Sequence, residues 1–182
     1  MDVVFTRTGA RRYAVSTVLA TGQTRVLDPA PGFDEHIPHD LVHYLVEAEL
    51  GLDSGVFGRA ARGGGAFLPA QAPGENARER ARALRRQKRR EQSLHIADAL
   101  GQHEMQLSEH LAAVSDLFWR RRHGQRPDSR PAPDTSLSSA HAEVVARVVD
   151  RLDELARLWH ALPIGGAMAF TWPSSVPKTH SA

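Results

Sequence analysis

Three short runs near the N-terminus alternate apolar and polar side chains, and glycine punctuates them: Val3 and Phe5, then Tyr13, Val15, Thr17 and Leu19, then Thr24, Val26 and Leu27, with Thr8-Gly9-Ala10 and Thr21-Gly22-Gln23 between. Alternation of period two gives each strand one apolar face, and Gly supplies the positive backbone dihedral that a hairpin loop needs, so an antiparallel meander is the most economical reading. The third run ends at Asp28 to Asp34 (DPAPGFD), where two prolines remove ladder donors. A meander with one apolar face must be covered, and the rest of the chain has to supply the cover. The expected class is therefore α+β: a small antiparallel meander packed on a short helix and on longer C-terminal helices.

The short helix is expected over 38–50. Pro38 suits its first turn, Asp40 favours the positive helix end, and Gly51 stops it. Leu41, Val42, Leu45, Val46, Ala48 and Leu52 recur at helical spacing as its apolar side, which leaves Asp40, His43, Tyr44 and Glu47 for the solvent side. A second short helix is expected around Ser54 to Ala61, and residues 63–76 form a Gly/Pro loop without regular structure. Residues 77–122 read as a basic and then amphipathic helical region, either one helix or two meeting near Gly101. A linker rich in Pro, Ser and Asp follows over 123–138. From Ser139 as cap, Val145, Val148, Val149, Leu152, Leu155, Trp159 and Leu162 mark the buried side of a last helix that Pro163 ends. Met168, Phe170 and Trp172 then alternate as a strand returning to the N-terminal sheet, with 173–182 as a tail. Residues 1–182 are expected to form a single domain.

Composition narrows the chemistry. The chain has no cysteine, so a disulfide framework, a thiolate metal site and a cysteine nucleophile are excluded, and any metal must be held by His, Asp or Glu. No run approaches the ~18 apolar residues of a membrane span, and Arg7, Arg11 and Arg12 interrupt the N-terminus where a signal peptide would be apolar. A cytoplasmic location and no membrane partner are the expectations. GGG at 63–65 lacks the Lys-Ser/Thr of a phosphate loop, and no serine nucleophile elbow is present.

The candidate chemistry lies in HIPHDLVHYLVEAELG, from His36 to Gly51. Two histidines four apart on a helix project from one face about 6 Å apart along the axis, which lets both rings reach one ion. His39 and His43 have that spacing and are the candidate metal ligands, for zinc or another divalent metal. Asp40 is the candidate general base on a metal-bound water. Glu47 lies about 12 Å along a straight helix from His39, so it is expected to support His43 rather than share an ion. His36, His95, His103, His110, Glu104 and Glu109 are candidates for a third ligand. The same residues also fit an ordinary helix face, on which His43 and Glu47 form a favourable pair of ~0.2–0.5 kcal/mol and Asp40 faces the helix dipole.

HDLVH resembles the H-E-x-x-H motif of zinc metallopeptidases, in which two His bind zinc and the Glu acts as base. Here Asp40 replaces that Glu and is one methylene shorter, so the resemblance implies metal binding more than peptidase activity. The wider block PGFDEHIPHDLVHYLVEAELGLDSGVFG resembles a family of small uncharacterised bacterial proteins with a P-H-D-x-x-H-x-x-V-E block after an N-terminal sheet. Pro38, His39, Asp40, His43 and Glu47 match that block, and Phe33, Gly51 and Gly58 belong to its structural surroundings. The resemblance implies no activity and covers roughly a third of the chain.

A second class of function comes from charge. The net charge of +2 conceals a segment, residues 76–90, with eight Lys or Arg against the single acid Glu79, which leaves −5 on the remainder. Arg78, Arg82, Arg85, Arg86, Arg89 and Arg90 could lie along phosphates, so nucleic acid or an acidic protein is the alternative partner through 78–90. The segment has no aromatic interleaving and no helix-turn-helix or zinc-finger spacing. The amphipathic helices over 94–118 and 139–162 are built to pair, within the chain or between copies of a homo-oligomer. Trp159 and Trp172 are expected in the core and against the sheet, with Trp119 anchoring a helix end.

Overall fold

A computed structural model describes residues 1–30, 35–70, 74–96, 99–125 and 132–178. The N-terminal alternation becomes β1 (Asp2–Gly9), β2 (Arg12–Val18) and β3 (Thr24–Leu27), followed by α1 (His39–Leu50), α2 (Val56–Ala61), β4 (Leu68–Pro69), α3 (Ala77–Ile96), α4 (Ala99–Arg122), α5 (Ser139–Ala161) and β5 (Ala167–Thr171). The fold is α+β. Its antiparallel sheet has the order β4-β3-β2-β1-β5, so the last strand returns to pair with the first, as the C-terminal alternation predicts.

Register explains which face is covered. Val3 stands opposite Thr17 and Phe170, and Phe5 opposite Val15 and Met168, so the alternating apolar residues of three adjacent strands share one face. Val3, Phe5, Val15, Thr17 and Phe170 are all fully buried on it. Tyr44 of α1 meets Phe5 edge-on at 6.0 Å and Phe170 at 5.0 Å, Phe57 of α2 lies 6.1 Å from Phe5, and Trp159 of α5 is edge-on to Tyr13 at 6.5 Å. Behind α1, α4 and α5 pack on each other within the chain. Val145, Val148, Val149, Leu152, Leu155 and Trp159 form the buried side of α5, as its spacing predicts.

Several expectations need correction. The largest is that α1 has no solvent side over Asp40 to Glu47: Asp40, His43, Tyr44 and Glu47 are all buried, because the helix lies between the sheet and α4 and not over an edge. The Gly/Pro stretch contains a short strand, whose Leu68 pairs with Val26. Gly101 is buried inside α4 and does not end a helix; α3 is described as far as Ile96 and α4 from Ala99. Ser138 rather than Ser139 caps α5, its side chain accepting from the His141 N–H. The expected tail is tied down as far as Lys178: Phe170 bridges to Pro177, the Lys178 N–H donates to the Ala169 carbonyl, and the Tyr44 hydroxyl donates to the Ser174 carbonyl at 2.7 Å. No helix among the described residues is long and apolar enough to cross a membrane.

Phe170 closes the sheet against α1, so Phe170→Ala is expected to lower unfolding free energy by ~3–5 kcal/mol. Val176→Ala, at an exposed position, should change it by less than ~0.5 kcal/mol. Urea denaturation of both variants measures the difference, and equal midpoints would contradict the placement of β5.

Candidate metal centre

Helix α1 begins where the chain leaves Pro38, which serves as its N-cap without a side-chain bond. The first turn is held instead from the sheet. The Tyr13 hydroxyl of β2 donates to Asp40 Oδ2 at 2.6 Å and accepts from the Asp40 backbone N–H at 3.2 Å. This pair fixes the start of the helix to the second strand. Burial raises the Asp40 carboxyl above its ordinary range, against the opposing pull of the Tyr13 hydroxyl, and burial together with Asp40 raises the Tyr13 phenol. Asp40, expected beside a metal-bound water, thus has one oxygen engaged by Tyr13.

At the other end of α1, Gly51 adopts a left-handed conformation with φ 65° and ends the helix as its sequence predicts. The chain then turns back so that α2 starts against the Glu47 side chain. Glu47 Oε1 accepts from the Val56 N–H at 2.7 Å, and Oε2 accepts from the Phe57 N–H at 2.8 Å. Close approach requires two glycines. A Cβ on Gly55 would overlap the Glu47 carboxyl group, and one on Gly58 would overlap the backbone of Leu52 and Asp53.

Glu47 also reaches α4. The Ser108 hydroxyl donates to Glu47 Oε1 at 2.8 Å, and Ser108 Oγ lies 3.1 Å from His43 Nδ1. When Glu47 is ionised, its oxygens only accept, so the single hydroxyl proton of Ser108 points to it and the remaining contact requires His43 Nδ1–H to donate. That leaves the lone pair on His43 Nε2, which faces His39 Nε2 at 3.2 Å. Glu109 Oε2 is 3.7 Å from the same His43 nitrogen. His39 is half-buried and the Glu109 side chain exposed, so the paired nitrogens lie at the solvent boundary while the Ser108–Glu47 support is interior.

The sequence assignments therefore separate. His39 and His43 come together, and Glu47 supports His43 through Ser108. Of the third-ligand candidates, Glu109 stands beside the pair. Glu104 instead accepts from the Ser54 N–H at 2.7 Å, His36 packs near Trp119 and His160, and His103 is exposed. The side chains of His95 and Arg90, and Phe33 altogether, lie outside the described residues. Arg78, Arg82, Arg85, Arg86 and Arg89 are exposed on α3. As the side chains stand, no three or more His, Asp or Glu groups among the described residues converge on one metal position.

Ser108 and Tyr13 were missed as site residues. Ser108 had a readable signal, since it falls three before Leu111 and four before Ala112 on the packed face of α4, where a hydroxyl needs a buried partner. Tyr13 had only its strand alternation. No family model, curated protein or solved structure matches the chain.

Two variants test this arrangement. Gly55→Ala is expected to displace the Glu47 carboxyl group and cost at least ~1–3 kcal/mol, the penalty for unpairing buried polar groups, measured by urea unfolding. The second is a test of pH. Burial, helped by nearby His39, lowers His43 to about 3, and burial raises Glu47 to about 7 against the Phe57, Ser108 and Val56 donors. For His43 the unfolded chain binds more protons between its ordinary 6.5 and about 3, so stability falls as pH drops through that window; for Glu47 the folded chain binds more protons between 4.5 and about 7, so stability falls as pH rises. The two oppose each other between 4.5 and 6.5. In metal-free protein, His43→Gln should gain stability relative to the parent as pH falls below 6.5. A pH-independent difference in unfolding free energy would contradict this environment.

Proposed function

We propose that the chain is a divalent-metal-binding protein that takes one zinc-like ion between His39 Nε2 and His43 Nε2. The observation that carries this reading is the 3.2 Å separation of the two nitrogens; with Glu47 ionised, the Ser108 hydroxyl donates to it and His43 presents its Nε2 lone pair. Two imidazole ligands with bonds of about 2.0–2.1 Å and a tetrahedral angle stand about 3.3 Å apart, so the pair requires little adjustment.

Imidazole nitrogen suits zinc, copper, nickel and iron, whereas calcium and magnesium prefer oxygen. Rotation of the exposed Glu109 side chain brings a carboxylate to the same ion, and water completes the set. Ser108 and Glu47 orient His43 from behind, the role that a carboxylate or hydroxyl behind a ligating histidine commonly plays. Asp40 fixes the helix that carries both ligands. No catalytic step is assigned.

The test uses protein purified without a histidine tag, stripped with chelator and titrated with zinc by calorimetry. One equivalent should bind. His39→Ala and His43→Ala should each abolish measurable binding, while Ser108→Ala should weaken it about 10–100-fold because the ligand survives and only its orientation is lost. Unchanged zinc stoichiometry in the His39→Ala, His43→Ala double variant would overturn the reading.

A further inference from the structure

The arginines of α3 form a surface whose arrangement goes beyond their number. At 3.6 residues per turn, Arg78, Arg82, Arg85 and Arg89 fall within an arc of about 60° and extend about 16 Å along the axis. All four are exposed, as are Arg86 and Lys88 beside them. The opposite side of the helix faces the body: Arg80 donates to the Pro69 carbonyl of β4, and Arg80 and Leu84 are half-buried. Glu79, the single acid among residues 76–90, is used at the helix start, where its carboxylate accepts from the Asn76 N–H at 3.1 Å while Asn76 Oδ1 accepts from the N–H groups of Arg78 and Glu79.

We infer that this face docks on the phosphate backbone of a nucleic-acid duplex. Guanidinium groups match phosphate with paired donors, and a row of them fits a polymer that repeats its charge at a regular interval. A membrane surface fits less well, because an interfacial helix needs an apolar face beside its cations. In the 77–89 segment the only large apolar side chain is Leu84, which faces the body and not the cationic row. Single strands fit less well too, since the segment contains no aromatic residue on which to stack unpaired bases. The contact is made to backbone, so it carries no sequence preference.

Fluorescence anisotropy with labelled duplex DNA and, separately, duplex RNA tests the inference on the full chain. With four phosphate contacts, affinity should fall about 100-fold between about 50 and about 200 mM salt. Combining Arg78→Gln, Arg82→Gln, Arg85→Gln and Arg89→Gln should abolish most of that binding and flatten the salt dependence, with circular dichroism confirming an intact fold. The exposed pair Arg121→Gln, Arg157→Gln should leave it unchanged. Preference for one duplex identifies the nucleic acid. Equal binding by parent and quadruple variant, or competition by polyglutamate as effective as by duplex at equal charge, would overturn the inference.

Discussion

The Glu47 carboxyl group joins three helices. It takes two backbone N–H groups at the start of α2 and the Ser108 hydroxyl of α4, while its own backbone lies in α1. A carboxylate fully removed from water would be costly without such partners. Here they are supplied from both sides, and the geometry that supplies them also decides the histidine pair. Removing any one partner leaves a buried donor or acceptor open, so the arrangement resists gradual change.

The sheet contributes the other fixed point. Tyr13 holds the first turn of α1 through Asp40, and the aromatic cluster of Phe5, Tyr44, Phe57 and Phe170 holds its middle. Helix α1 is consequently fixed at its start, along its sheet side and at its end, and His39 and His43 inherit that rigidity. A pair of histidines on a surface helix would sample many rotamers; His43 in the interior does not.

Much of the architecture was legible because its causes are local. Period-two alternation at Val3–Phe5 and Tyr13–Val15, the Gly51 helix stop and the spacing of Val145 through Trp159 each express one element's own geometry, and all three appear as read. The surroundings of α1 were not legible in the same way. Asp40, His43 and Glu47 look like a polar face, and a polar face is ordinarily read as solvated; their burial depends on partners from other elements, Tyr13 for Asp40, the Val56 and Phe57 N–H groups for Glu47, and Ser108, some sixty residues later, for His43 and Glu47. Long-range pairing of buried polar groups leaves no periodic trace. The paired glycines at 55 and 58 are similar, since their need arises from what packs against them. The spacing of His39 and His43 was readable, whereas the tautomer that makes the spacing useful was not.

The central claim is that the Glu47–Ser108 pair holds His43 with its proton on Nδ1 and its lone pair on Nε2. Nitrogen-15 NMR of the imidazole groups in metal-free protein, at a pH above the Glu47 value of about 7, measures this directly. The account predicts a protonated Nδ1 and an unprotonated Nε2 for His43, with loss of that preference in Ser108→Ala. A His43 protonated at Nε2 with a bare Nδ1, unchanged by Ser108→Ala, would contradict it.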